Sequence, residues 1–117
     1  MPPKRTFDQG DIIWVTLDPT EGSEIKGNPR PCLVLSRKEF NQLGRALVAP
    51  ITQGGGYERD KGFAVHLSET KIQGVAVVSQ VRTLDLKARN AKFAESAPPQ
   101  VVAEALARFE TITDPDE

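Results

Sequence analysis

Apolar and polar positions alternate in short bursts along most of this chain, then settle near its end into a helical period. The first burst, Ile12 to Leu17, is rich in β-branched and aromatic residues and follows the punctuation Gly10-Asp11. Ile12 and Trp14 share one face, and Ile13, Val15 and Leu17 share the other. A strand apolar on both sides is central, or has its second face covered by a partner. Cys32–Leu35 reads as a second strand, because Pro31 can begin a strand but not sit in its middle. Ser36-Arg-Lys-Glu39 has the form of a capping box and Gly44 that of a stop, which predicts a short helix over Arg37–Leu43. Arg45–Thr52 is a third strand, with Pro50 arguing for an edge or a bulge near its end.

Further strands are expected at Phe63–Leu67, Gly74–Leu84 and Ala91–Ala94, with Asp85 capping a short helical turn over Leu86–Asn90. Pro98-Pro99 suits a helix start, and Val101, Val102, Ala105, Leu106, Phe109 and Ile112 recur at helical spacing. Residues 99–111 are therefore predicted to form an amphipathic helix on the sheet. Short strands with turn signals plus one terminal helix describe a mainly β fold, a small and partly open β-barrel. One domain over residues 1–112 is expected, followed by a disordered acidic tail over 113–117. No internal repeat or low-complexity stretch is evident.

The chain's 117 residues suffice for a single core without staples. No apolar run approaches the roughly 20 residues of a membrane helix. The basic N-terminus lacks the apolar segment of a secretory signal, which with a single cysteine, Cys32, predicts a cytoplasmic protein. Cys32 lies in an apolar strand pattern and reads as a small buried hydrophobe. The net charge of −1 gives no global pull toward polyanions. Its distribution does: residues 1–93 carry about +4 and residues 94–117 about −5. A basic body with an acidic end can bind a polyanion locally.

Candidate chemistry concentrates in the turn-rich segment Gly22–Pro31. It holds a carboxylate, Glu24, and a guanidinium, Arg30, between two apolar strands. An acid and an arginine on such a segment suggest proton transfer beside a negatively charged substrate. Arg30 lies between two prolines that restrict the backbone around it. One cysteine and one histidine, His66, make no zinc site, and a two-histidine mechanism within one subunit is excluded. His66 alternates with Val65 and Leu67 and reads as a surface residue of a strand. Gly54–Gly56 allow close approach of a ligand, or simply flexibility, but lack the Lys-Ser/Thr of a P-loop. No nucleophile elbow or dinucleotide fingerprint is present.

Six segments together resemble the MazF/PemK/Kid/ChpB family of toxin endoribonucleases. They are Gly10-Asp-Ile-Ile-Trp-Val, Asp18-Pro-Thr-Glu-Gly-Ser-Glu24, Arg30-Pro-Cys-Leu-Val-Leu-Ser36, Phe40-Asn-Gln-Leu-Gly44, Val48-Ala-Pro-Ile-Thr-Gln-Gly54 and Gly74-Val-Ala-Val-Val-Ser-Gln-Val-Arg-Thr-Leu-Asp85. They occur in family order and spacing over nearly the whole chain. The ChpB branch is the most similar, through Phe40–Gly44 and Leu47–Gly55. The resemblance implies an SH3-like barrel, a homodimer and a cognate antitoxin. It also implies cleavage of single-stranded RNA, chiefly mRNA, with no metal or other cofactor. In that chemistry the ribose 2′-hydroxyl is the nucleophile, and the products are a cyclic phosphate and a 5′-hydroxyl.

Such a reaction needs a base, a stabiliser of the phosphorane oxygens and a proton for the departing 5′-oxygen. The resemblance assigns Glu24 as base and Arg30 as stabiliser, with Thr52 bonding a non-bridging oxygen. Full proton donation by an arginine is costly because a guanidinium holds its proton far above neutral pH, so electrostatic stabilisation is the favoured role, with water as an alternative donor. RNA contacts are expected from Lys26, Asn28, Gln53, Tyr57, Arg59, Gln80 and Arg82, with Lys61 a further candidate. Gln80 and Arg82 share a strand face if the strand is regular. Asp85 reads as a helix cap more than as a site residue.

Two other functions stay in view. A gyrase-inhibiting toxin on the same barrel would act by binding alone, although such relatives rely on an apolar-aromatic C-terminus and this chain ends Thr-Asp-Pro-Asp-Glu. A non-catalytic SH3-like module would leave Glu24 and Arg30 idle. A two-fold dimer is expected on the ground that the first strand is apolar on both faces.

Overall fold

The computed structural model describes residues 6–16, 29–53 and 61–115. Seven strands are present: β1 Asp11–Val15, β2 Arg30–Val34, β3 Arg45–Thr52, β4 Ala64–His66, β5 Val75–Val77, β6 Arg82–Asp85 and β7 Lys92–Ser96. Two α-helices accompany them, α1 Lys38–Asn41 and α2 Pro99–Thr113. The strands form one antiparallel sheet in the order β4-β5-β3-β2-β1-β7, with β6 pairing on β3 as well. Among the described residues the sheet is not closed into a ring, and β4 and β7 are its two ends.

Alternation along the strands divides the core in two. Ile12, Leu33, Leu35, Ala49 and Ile51 gather on one side with Val65, Ala76 and Val78, where Val101 and Ala105 of α2 cover them. Ile13, Val15, Cys32, Val34, Ala46, Val48 and Leu84 gather on the other side with Phe7. β1 buries Ile12 on one face and Ile13 and Val15 on the other, and leaves Trp14 exposed. Its place is central, between β2 and β7. At Gly10, with φ +95°, an added Cβ would stand 2.9 Å from Val102 of α2, so the strand entry and the helix pack at glycine distance. Arg108 of α2 donates to Glu104 and, at 2.7 Å, to the carbonyl of Gly62 in the 3-10 turn Lys61–Phe63. No described helix is long and apolar enough to cross a membrane.

Several elements differ from those the sequence predicts. α1 is shorter than expected, and Ser36 does not cap it: the Ser36 hydroxyl instead accepts from Leu47 N at 2.9 Å and bonds Asn41. The Asp8 carboxylate, distant in sequence, accepts from Lys38 N at 3.2 Å and meets the first turn of α1. The expected strand 63–67 is a 3-10 turn followed by three strand residues. The expected helical turn over 86–90 is a run of turns, although Asp85 does cap it, accepting from Ala88 N at 2.9 Å. α2 extends two residues further than the sequence suggests.

The largest departure is in Gly74–Leu84, which is not one strand. β5 and β6 both lie along the same edge of β3, β6 against Arg45–Val48 and β5 against Ile51–Thr52. The 3-10 turn Val78–Gln80 interrupts them. Pairing partners sum to 130 along β6 and to 127 along β5, so three residues are extruded at the step. Pro50, which has no amide hydrogen, falls at that step. A proline thus sits in a strand paired on both sides because the ladder changes partner there.

Candidate active site

The register of β2 and β3 brings the two nameable catalytic candidates of this region together. Leu33 pairs with Ala49 and Cys32 with Pro50. Continued by two residues, that register sets Arg30, which opens β2, level with Thr52, which closes β3. On that continuation the two residues would stand one strand spacing apart, about 4.8 Å, at the strand end. Arg30 is exposed and Thr52 half-buried, as suits groups that must meet a ligand. Both terminate their strands beside segments 17–28 and 54–60, which lie outside the described residues and hold Glu24, Lys26, Asn28, Tyr57 and Arg59.

Alternation puts a second cation on the same face. Arg30 shares its face of β2 with Cys32 and Val34, and Thr52 shares its face of β3 with Ala46 and Val48. Arg82 shares its face of β6 with Leu84 and pairs with Val48. Arg30, Thr52 and Arg82 therefore belong to one face, whose interior is the apolar cluster of Cys32, Val34, Val48 and Leu84. Arg82 stands four residues along β3 from the level of Thr52, about 13 Å at ordinary strand rise.

Burial pushes the Cys32 thiol up to about 12, and the Arg82 charge opposes that push. Cys32 is completely buried, as its apolar neighbours imply.

Gln80 is not on a strand with Arg82. It ends the 3-10 turn, is exposed, and owes its position to the extruded residues rather than to alternation. Gln53 is exposed and its amide donates to the carbonyl of Gln73 at 3.5 Å. Lys61 opens the 3-10 turn that leads into β4. His66 is exposed at the end of β4, as expected. Asp85 lies on the opposite face of β6 from Arg82 and is occupied with its turn. Among the described residues no group of three or more His, Cys, Asp or Glu side chains could hold a metal ion.

The sequence reading missed Gly74. Its φ is +134°, and an added Cβ would stand 2.5 Å from the carbonyl oxygen of Thr52. A glycine just before a strand was the available signal, but its contact with Thr52 depends on pairing that only the fold reveals.

Over residues 8–113 the chain matches the family described as the PemK-like, MazF-like toxin of type II toxin-antitoxin systems. It is 50% identical over 113 residues to the endoribonuclease toxin ChpB of Escherichia coli strain K12, covering 95% of this chain and 97% of that protein. Identity to the endoribonuclease PemK of Escherichia coli is 41% over 112 residues, covering 93% and 84% of the two chains. The MazE–MazF crystal structure (Form-III) from Deinococcus radiodurans has a TM-score of 0.79 at 29% identity, covering 93% of this chain and 97% of that one. The resemblance drawn from the six segments, including its ChpB-like character, is borne out by these matches. With the fold and the sequence in agreement, the chain belongs to the PemK-like, MazF-like toxins of type II toxin-antitoxin systems.

Proposed function

We propose that this toxin is a metal-independent endoribonuclease that cuts single-stranded RNA by attack of a ribose 2′-hydroxyl on the adjacent phosphodiester. Glu24 takes the hydroxyl proton. The 2′-oxygen bonds to phosphorus, and negative charge builds on the non-bridging oxygens. Arg30 and Thr52 meet that charge, the guanidinium through its forked donors and the hydroxyl through one hydrogen bond. The bond from phosphorus to the 5′-oxygen then breaks, and water returns a proton to that oxygen. A 2′,3′-cyclic phosphate and a 5′-hydroxyl result. No enzyme nucleophile is consumed.

What supports this reading is the β2–β3 register, Cys32 opposite Pro50, which continued by two residues sets Arg30 level with Thr52. A cation and a hydroxyl donor about one strand spacing apart suit the two non-bridging oxygens of one phosphate. Arg82, on the same face but about 13 Å along the strand, suits a neighbouring nucleotide. Lys26, Asn28, Gln53, Tyr57, Arg59 and Gln80 complete the RNA contacts.

The sheet acts as an SH3-like barrel whose ends are joined by side chain rather than by strand pairing. The Glu95 carboxylate of β7 accepts from Lys71 N and Ile72 N in the segment between β4 and β5, and so ties one end of the sheet to the other. The toxin works in the cytoplasm as a homodimer, restrained by a cognate antitoxin. Phe40 and Leu43, both exposed around α1, are apolar surface left for such association. Residues 1–112 act as one barrel domain, and the acidic tail expected from 113 starts one residue later, because α2 runs through Thr113.

Purified toxin should cleave single-stranded RNA in EDTA and leave 5′-hydroxyl ends. Replacing the scissile ribose with deoxyribose should abolish cleavage. Cleavage of the deoxy substrate at the ribose rate, or intact RNA with the free toxin, would refute the reading.

A further inference from the structure

The segment between β4 and β5 is anchored at both ends. At one end the two oxygens of Glu95 receive consecutive amides, Lys71 N at 3.0 Å and Ile72 N at 2.8 Å. At the other end Gly74 lies against Thr52: its carbonyl accepts from Leu67 N at 3.0 Å, and its α-carbon leaves no room for a side chain beside the Thr52 carbonyl. Val75, the next residue, pairs with Thr52 itself. At the first anchor Thr70 Oγ1 donates to the Ile72 carbonyl at 2.7 Å, which stiffens the turn. Glu95 is half-buried on β7, at the far end of the sheet from β4.

We infer that Glu95 is a positioning residue for Thr52, acting through the 71–75 segment. The inference rests on the proposed role of Thr52 at the scissile phosphate. A carboxylate that accepts two successive backbone amides fixes both the position and the rotation of the segment, because one oxygen serves each donor. Two residues on, that segment sets the wall against which the end of β3 rests. A donor aimed at a developing charge tolerates displacement of only a few tenths of an ångström. Loss of the clamp therefore reaches Thr52 without any contact between Glu95 and the substrate.

The test is a double-mutant cycle in RNA cleavage with Thr52→Ala and Glu95→Ala. Glu95→Ala should lower kcat at least about tenfold with KM little changed, since a displacement of about 1 Å can cost about a hundredfold. In the double variant the two losses should not multiply, and its kcat should match that of Thr52→Ala alone. Multiplying losses would overturn the inference. Glu95→Gln covers the case in which Glu95→Ala does not fold. It keeps one oxygen acceptor and turns an amide group toward the other N–H, so its kcat should fall between wild type and Glu95→Ala, and its loss should likewise vanish in the Thr52→Ala background. Amide hydrogen exchange gives a readout apart from activity: protection of Lys71, Ile72 and Val75 should drop in either variant while Ile12 and Leu33 stay protected. Unchanged exchange at those three amides would sink the inference. RNA left intact by the wild type would instead refute the catalytic reading, with the exchange result still deciding whether Glu95 holds the segment.

Discussion

Gly74 and Thr52 touch through backbone alone, with no space between them for even one methyl group. Substituting Gly74 by alanine combines a strained positive φ with a clash against a carbonyl oxygen. The cost should be about 1–3 kcal/mol of stability, read as a lower urea midpoint with an unchanged slope. Because the clash is against the residue proposed to hold the phosphate, cleavage should fall further than the stability loss explains. A variant of wild-type stability and activity would show that the segment moves aside freely.

Arg30→Ala removes the cation level with Thr52. Loss of one transition-state donor costs roughly 10²–10³ in kcat, so the folded variant should show at least that loss. Arg30→Lys should recover only part of it, because a lysine cannot present the two parallel donors of a guanidinium. Circular dichroism would confirm the fold, which an exposed side chain such as Arg30 should not decide.

Cys32 should behave as an inert thiol. Its folded-state pKa of about 12 lies above the ordinary 9.0, so above pH 9 the unfolded chain loses this proton before the folded one does. Stability from this group is full below pH 9 and declines as pH rises toward 12, at no more than about 1.4 kcal/mol per pH unit. Cys32→Ala should flatten that decline. Iodoacetamide at pH 8 should label the thiol only after denaturant is added. Rapid labelling of the native protein would contradict the burial.

Asn41 is buried and its amide nitrogen donates to Phe7 O at 2.8 Å and Ser36 O at 3.1 Å. Asn41→Ala should leave those carbonyls and the Ser36 hydroxyl without this partner, at a cost of about 1–3 kcal/mol. Thermal unfolding should report the loss while RNA cleavage by the remaining folded protein is unchanged, because Asn41 stands apart from Arg30 and Thr52.

What the sequence made legible follows the physics of each segment. β3 could be read to the residue because its apolar run is bounded by Gly44 and by the glycines after Gln53. The α2 stripe was clear because Val101 and Ala105 must face the sheet. Ser36 misled because a hydroxyl three residues before a glutamate has the same letters whether it caps a helix or bridges to Leu47. The split in Gly74–Leu84 was invisible because Val78 is apolar either way; only the partner strand decides that it turns inward from a 3-10 turn. Arg30 and Thr52 were nameable through the family pattern, but their level placement is a property of register, which depends on residues twenty positions apart. Gly74 and Glu95 act through backbone groups of other segments, and such contacts leave no spacing in the sequence to find.

The shared edge of β3 also divides the molecule mechanically. Because β5 and β6 meet β3 in registers three residues apart, with Pro50 at the seam, the ladder has a weak joint at its middle. Fluctuations can peel the β4–β5 hairpin from the catalytic end while the ladder of β6, β3, β2 and β1 stays zipped, at a free energy below that of global unfolding. The seam thus parts the sheet into two ladders, and Thr52, the residue proposed to hold the phosphate, stands beside it.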